Sequence, residues 1–190
     1  LQAPEGKELC VILDTLKLNM GKIYAHGKRA DSIVRNMLQH SRGMPGERVL
    51  TSIHKLLDED ATLTYHGMRA EDSDFNVTIE TQYDADLPSL EVVPQEIGRV
   101  FLNLLNNAYY SISQKKKKQS ANYQPKVVLS TARDQSVVVI KIWDNGMGIA
   151  PDVLSKLFTP FFTTKPPGEG TGLGLSLSYN IIVQGHGGSL

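Results

Sequence analysis

Asn103 and Asn107 stand four residues apart in Asn103-Leu104-Leu105-Asn106-Asn107-Ala108, so on a helix they share one face. Two amides in an otherwise apolar stretch need a reason. Carboxamide oxygens suit Mg²⁺, which keeps several waters and takes its remaining oxygens from protein and phosphates. Capping, or a hydrogen bond to a neighbouring loop, explains an isolated pair equally well. A second group, Asp144-Asn145-Gly146-Met147-Gly148-Ile149, follows a run of Val, Ile and Trp. An Asp at a strand end can accept a hydrogen bond from an exocyclic amine, and Gly146 and Gly148 let a flat ring approach the backbone. The same residue types also build ordinary turns.

The third group is Gly168-Glu169-Gly170-Thr171-Gly172-Leu173-Gly174-Leu175, a glycine-dense loop running into a helix, where backbone N–H groups suit phosphates. The preceding segment holds Pro160, Pro166 and Pro167 instead of the strand a dinucleotide fold requires, which disfavours that fold. A P-loop is excluded because no Gly-Lys pair is followed by Ser or Thr. The fourth group, Leu157-Phe158-Thr159-Pro160-Phe161-Phe162-Thr163-Thr164-Lys165, reads either as an anchor packing a long loop onto the core or as a lid. In the lid reading Phe158, Phe161 and Phe162 latch over a nucleotide and Lys165 lies near its phosphates.

These groups need elements to hold them. Leu9, Leu13, Leu16, Met20, Ile23, Gly27, Ala30, Val34 and Met37 alternate by four and three residues, the repeat of a coiled-coil seam. Pro4 suits the first turn of this helix, and Gly43, Pro45 and Gly46 stop it. A shorter helix is expected from Ile53 to near His66 and Gly67, a strand over Phe75 to Tyr83, and a short strand over Leu90 to Val93. Pro94 then opens the helix that carries Asn103 and Asn107, with Lys115 to Lys118 expected in an exposed loop. Lys126 to Ala132 and Val137 to Trp143 read as a hairpin turning near Asp134 and Gln135. A long Gly- and Pro-punctuated loop follows, then a helix from Leu173 to Val183 and the start of a strand at His186-Gly187-Gly188.

Composition narrows the classes further. Twenty basic and 20 acidic residues cancel over 190 positions, which argues against a nucleic-acid-coating surface. Cys10 is the only cysteine, so one chain builds neither an internal disulfide nor a cysteine-rich zinc site, and a reducing, cytoplasmic setting is expected. No apolar run approaches the roughly 20 residues of a membrane helix, so no membrane contact is expected of this stretch, although a longer parent could be anchored.

In order and spacing the four groups resemble the N, G1, F and G2 boxes of the GHKL ATPase superfamily, and of sensor histidine kinases within it, over residues 51 to 190. The preceding helix resembles the second helix of the dimerisation and histidine-phosphotransfer hairpin. The resemblance implies an α+β fold, a two-layer sandwich with a mixed sheet backed by helices. It implies a partial dimerisation region over 1–46 and an ATP-binding catalytic domain over 47–190. It further implies ATP and Mg²⁺ as ligands, a homodimer through the N-terminal helix, and a response-regulator receiver domain as partner. By the same resemblance Asn107 holds Mg²⁺ with Asn103 as the second carboxamide of the pair, Asp144 reads the adenine amine, and Gly146 and Gly148 line the adenine pocket. Gly170, Gly172 and Gly174 contact phosphates in a loop that also includes Gly168, Thr171 and Leu173.

Asn103 discriminates within the superfamily. The gyrase, Hsp90 and MutL branches carry there a glutamate that activates water, and an amide is a poor base. Asn103 therefore fits phosphoryl transfer to a supplied nucleophile better than hydrolysis driving a conformational cycle, and a complete set of boxes weighs against a nucleotide-regulated scaffold. Tyr110 replaces the lysine that many kinases of the family carry three residues after the magnesium asparagine. The phosphoacceptor motif, a histidine followed by an acidic residue and then a proline, is absent. His26, on the long helix, is the best stand-in, but a surface or packing role fits it better.

Overall fold

The structure, a computed structural model, describes residues 9–24, 27, 46–118, 122–166 and 169–190. The chain divides into two compact units, Leu1–Met44 with Phe161–Gly172, and Pro45–Pro160 with Leu173–Leu190. In the first unit, residues 9–24 form helix α1. Its seam residues Leu9, Leu13, Leu16, Met20 and Ile23 are 55–70% exposed. The later seam positions Ala30, Val34 and Met37, and His26, lie outside the described residues.

The second unit opens with strand β1 (Val49–Thr51) and helix α2 (Ile53–Glu71), started by Ser52, whose hydroxyl accepts from the Lys55 N–H. α2 runs past the expected stop near Gly67. That glycine has nothing within 4 Å of a would-be Cβ, so it sits on the open face of the helix and costs only local propensity. Strands β2 (Thr78–Gln82) and β3 (Leu90–Val92) lead to helix α3 (Pro94–Lys118), then β4 (Lys126–Asp134) and β5 (Val137–Asp144). Lys115 to Lys118 are the last turn of α3, a correction to the exposed loop expected there. Lysine is a good helix former, and cations suit a helix C-terminus.

β2 pairs parallel with β4, and β4 antiparallel with β5, giving a mixed three-stranded sheet; β1 and β3 form a separate antiparallel pair. The β4–β5 turn falls at Gln135, whose φ of 52° is the left-handed conformation a tight hairpin needs. Beyond β5 come the one-turn helix α4 (Pro151–Leu154) and helix α5 (Gly174–Tyr179). α5 passes directly into a π-helical turn, Asn180–Gly185. Residues 186–190 form no strand, contrary to expectation.

Helix spacing selects the core. Ile53, Leu57 and Ala61 on α2 meet Ile97, Phe101, Leu105, Ala108, Tyr109 and Ile112 on α3, and both pack on Val127 and Leu129 of β4. Each Val, Leu, Ile or Phe among them contributes roughly 1.5–3 kcal/mol by leaving water. Tyr109 is fully buried with its hydroxyl donating to the Ala61 carbonyl at 3.3 Å, and burial pushes its phenol up to about 12. The layered α+β arrangement expected from the sequence is the one observed. No helix among the described residues is long and apolar enough to cross a membrane.

Candidate functional site

α3 buries one face in the core and turns Asn103 and Asn107 toward its half-buried side. The Asn103 amide donates to the Gly174 carbonyl at 3.2 Å and to Ser178 Oγ at 3.3 Å. Ser178 is fully buried and its hydroxyl donates to the same carbonyl at 2.9 Å. Gly174 lies so near that a Cβ there would stand 3.4 Å from Asn103 Oδ1. Asn103 is therefore a strut from the middle of α3 to the start of α5, its nitrogen committed and its oxygen left to accept.

Farther along α3, Ser111 Oγ accepts from the Met147 N–H at 2.8 Å. Gly146 approaches so closely that a Cβ would lie 2.6 Å from the Ser111 carbonyl carbon and 2.7 Å from Asp144 Oδ1. No other L residue fits there. Asp144, at the end of β5, accepts from the Gly146 N–H through Oδ1 at 2.8 Å. Among the described residues Oδ2 has no hydrogen-bond partner, so the carboxylate can take a donor from outside. Gly148 is glycine for another reason: its φ is +69° and a Cβ would meet open space, so backbone conformation and not crowding selects it.

Asn145, between these groups, is satisfied on every side. Its Oδ1 accepts from Tyr123 OH at 2.8 Å and from the Lys126 N–H at 2.9 Å, and its Nδ2 donates to the Gln124 carbonyl at 2.8 Å. Its carbonyl accepts from Lys115 Nζ at 2.7 Å. Sequence reasoning assigned no role to Asn145, Ser111, Lys115 or Tyr123. The one available signal was that 103, 107, 111 and 115 continue the four-residue spacing of the two asparagines.

Of the aromatic group, Phe158 packs on Tyr179 at 5.2 Å between ring centroids, an anchoring contact within the second unit. In residues 161–166 and 169–172 the close contacts are local. Phe161 has a φ of 67° and is 55% exposed, a backbone cost that marks a constrained loop. Phe162 is half-buried. Gly172, with φ +71°, lies against these two residues, and a Cβ would meet the Phe162 carbonyl oxygen at 2.7 Å. A Cβ on Gly170 would lie 2.6 Å from Thr163 Oγ1 and 3.1 Å from Lys165 Cβ. Both glycines thus have a reason to be glycine inside their own loop. Burial lowers the Lys165 ammonium from its ordinary value, with Glu169 pulling the other way. Thr171 and Leu173 are half-buried, and Gly168 lies outside the described residues.

His186 was expected at a strand start and instead closes the π turn. Its Nε2 accepts from the Val93 N–H at 3.2 Å, which leaves the proton on Nδ1 to donate to the Ile181 carbonyl at 2.9 Å. Arg48 donates to the neighbouring Gly185 carbonyl at 2.6 Å. The segment after α5 is thereby tied to the β3–α3 junction.

A long helix thus reaches from the α5 start to an Asp-Asn-Gly loop in an α+β domain with a mixed sheet. Residues 92–190 match the family model of histidine kinase-, DNA gyrase B- and HSP90-like ATPases. The chain belongs to this family. The sensory histidine kinase/phosphatase NtrB of Rhizobium meliloti is 34% identical over 167 residues, 84% of this chain and 42% of that protein. The sensor histidine kinase ZraS of Escherichia coli K12 is 38% identical over 133 residues, 68% of this chain and 26% of that protein. Among solved structures, the nucleotide-free catalytic domain of histidine kinase ThkA superposes with a TM-score of 0.56 at 26% identity, covering 74% of this chain and 83% of that one. The chain thus spans less than half the length of these curated relatives.

Proposed function

We propose that the chain is the ATP-binding catalytic core of a sensor histidine kinase, transferring the γ-phosphoryl group of ATP to a histidine elsewhere in a longer protein. A response-regulator aspartate then receives it. The observation that carries this reading is Asn103. Where a hydrolytic relative has a glutamate base, this chain has an amide whose nitrogen is spent on Gly174 and Ser178. No group at that position can take a proton from water, so the attacking nucleophile must be supplied. The relatives named as sensor histidine kinases support the same choice.

In this reading Asp144 accepts from the adenine amine, Gly146 and Gly148 give the ring its approach, and Asn107 supplies a carboxamide oxygen to Mg²⁺, with the Asn103 oxygen one turn away. The donor set fits that ion. No group of three or more His, Cys, Asp or Glu among the described residues could hold a metal. Neutral amides suit a hard cation that keeps its waters and takes most of its other oxygens from phosphates. Magnesium, when bound, neutralises charge on the terminal phosphates. The chain's own residues orient the nucleotide, with Asp144, Gly146 and Gly148 at the base and Leu173 and Gly174, where α5 begins, toward the phosphates. The exposed seam of α1 supports dimerisation through a second copy.

Incubating the full-length protein with γ-labelled ATP tests this reading. Label retained on the protein in an acid-labile, base-stable form supports phosphorylation of histidine. Steady release of inorganic phosphate with an unlabelled protein supports hydrolysis and overturns it.

A further inference from the structure

Asn103, Asn107, Ser111 and Lys115 recur at every fourth position of α3, the spacing that forms one continuous ridge along a helix. At one end the ridge holds α5 through Asn103. At the other it holds the loop after β5, through Ser111 to the Met147 N–H and through Lys115 to the Asn145 carbonyl. The Lys115 ammonium also lies 5.0 Å from the centre of the Tyr123 ring, and the Tyr123 hydroxyl bonds the Asn145 side chain. Half-buried Lys115 makes no ion pair among the described residues and gives its charge to a backbone carbonyl next to Asp144. Burial and the Asp144 charge raise the Tyr123 phenol, so it remains a donor. Lys115 and Tyr123 therefore hold Asn145, and Ser111 holds Met147, so the loop that follows Asp144 is fixed on both sides of Gly146.

We propose that Ser111 and Lys115 are positioning residues for base recognition, holding the Asp144–Gly146 turn so that its carboxylate distinguishes a 6-aminopurine from a 6-oxopurine. The inference rests on the nucleotide-binding reading above. Neither residue touches the base. A carboxylate free to swing by an ångström would still accept a hydrogen bond from solvent, but it would lose the fixed direction that makes a 6-oxo group, an acceptor facing an acceptor, unwelcome.

The test is calorimetric titration of ATP and of ITP into the wild-type chain and into Ser111→Ala, Lys115→Met, Lys115→Arg and Asp144→Ala, with the unfolding midpoint of each. Ser111→Ala and Lys115→Met should each reduce the ATP-over-ITP preference by about tenfold, one hydrogen bond's worth of discrimination. Lys115→Arg, which still donates to the Asn145 carbonyl, should keep it. An unchanged preference in both Ser111→Ala and Lys115→Met, or equal weakening of both nucleotides, overturns the inference while Asp144→Ala still abolishes ATP binding. Wild-type protein that binds no ATP, or Asp144→Ala that binds it normally, removes the underlying reading and this proposal with it.

Discussion

Asp60 lies on α2 where that helix crosses α3, is 9% exposed, and has an Oδ2 with no hydrogen-bond partner among the described residues. Gly98 of α3 faces it so closely that a Cβ there would stand 3.1 Å from this oxygen. Burial, with a smaller contribution from the Glu59 charge, raises the Asp60 carboxyl from 3.8 to about 6. The native state therefore binds the proton more tightly than the unfolded chain. Stability from this group is fully present below pH 3.8 and is lost as pH rises through about 6. A shift of about two units, at about 1.36 kcal/mol per unit, amounts to ~3 kcal/mol between about pH 3 and about pH 7. Asp60→Asn removes the titration. Urea unfolding of wild type and variant across that range should show the variant gaining on the wild type by ~3 kcal/mol as pH rises, because every other carboxylate cancels in the difference. A difference that stays flat with pH would show that water or a counter-charge reaches Asp60 and would refute the burial argument.

Two glycines of one motif should fail differently. Gly146→Ala forces contact with Ser111 and Asp144 and should cost ~1–3 kcal/mol with loss of nucleotide binding, whereas Gly148→Ala meets only its positive φ and should cost ~1–2 kcal/mol, read by chemical unfolding and by titration. His186→Ala leaves the Val93 N–H and the Ile181 carbonyl without their partner and should lower stability by ~1–3 kcal/mol, visible as a drop in unfolding midpoint. Asn103→Asp removes both donated bonds and sets a carboxylate against the Gly174 carbonyl and Ser178 Oγ. It should destabilise the α3–α5 contact by ~1–3 kcal/mol, measured by chemical unfolding.

The long helix α3, the hairpin and the four motif groups were legible in the sequence because periodicity and turn chemistry act locally. What the sequence hid was tertiary. Lys115 to Lys118 read as a solvated run, because composition does not reveal that Lys115 reaches the Asn145 carbonyl and Lys116 the Asp74 carbonyl at 2.6 Å. Asn145 looked like turn filler, and its four partners come from residues 115 to 126. Gly67 read as a stop signal, yet it sits on an exposed helical face where no packing objects to it. The π turn after α5 and the role of His186 depend on the Val93 N–H, 93 residues away in sequence, which no local pattern encodes. The close approach of Gly170 to Thr163 and of Gly172 to Phe161 and Phe162 is likewise tertiary and not encoded in glycine spacing.

The most direct test of the central claim is ATP binding with and without Mg²⁺ by calorimetry, on the wild-type chain and on Asp144→Ala and Asn107→Ala. The account predicts that wild type binds, that Asp144→Ala abolishes binding, and that Asn107→Ala removes the Mg²⁺ dependence while leaving the nucleotide's base-dependent affinity. A folded wild type that binds no ATP, or an Asn107→Ala variant with an undiminished Mg²⁺ dependence, would contradict it.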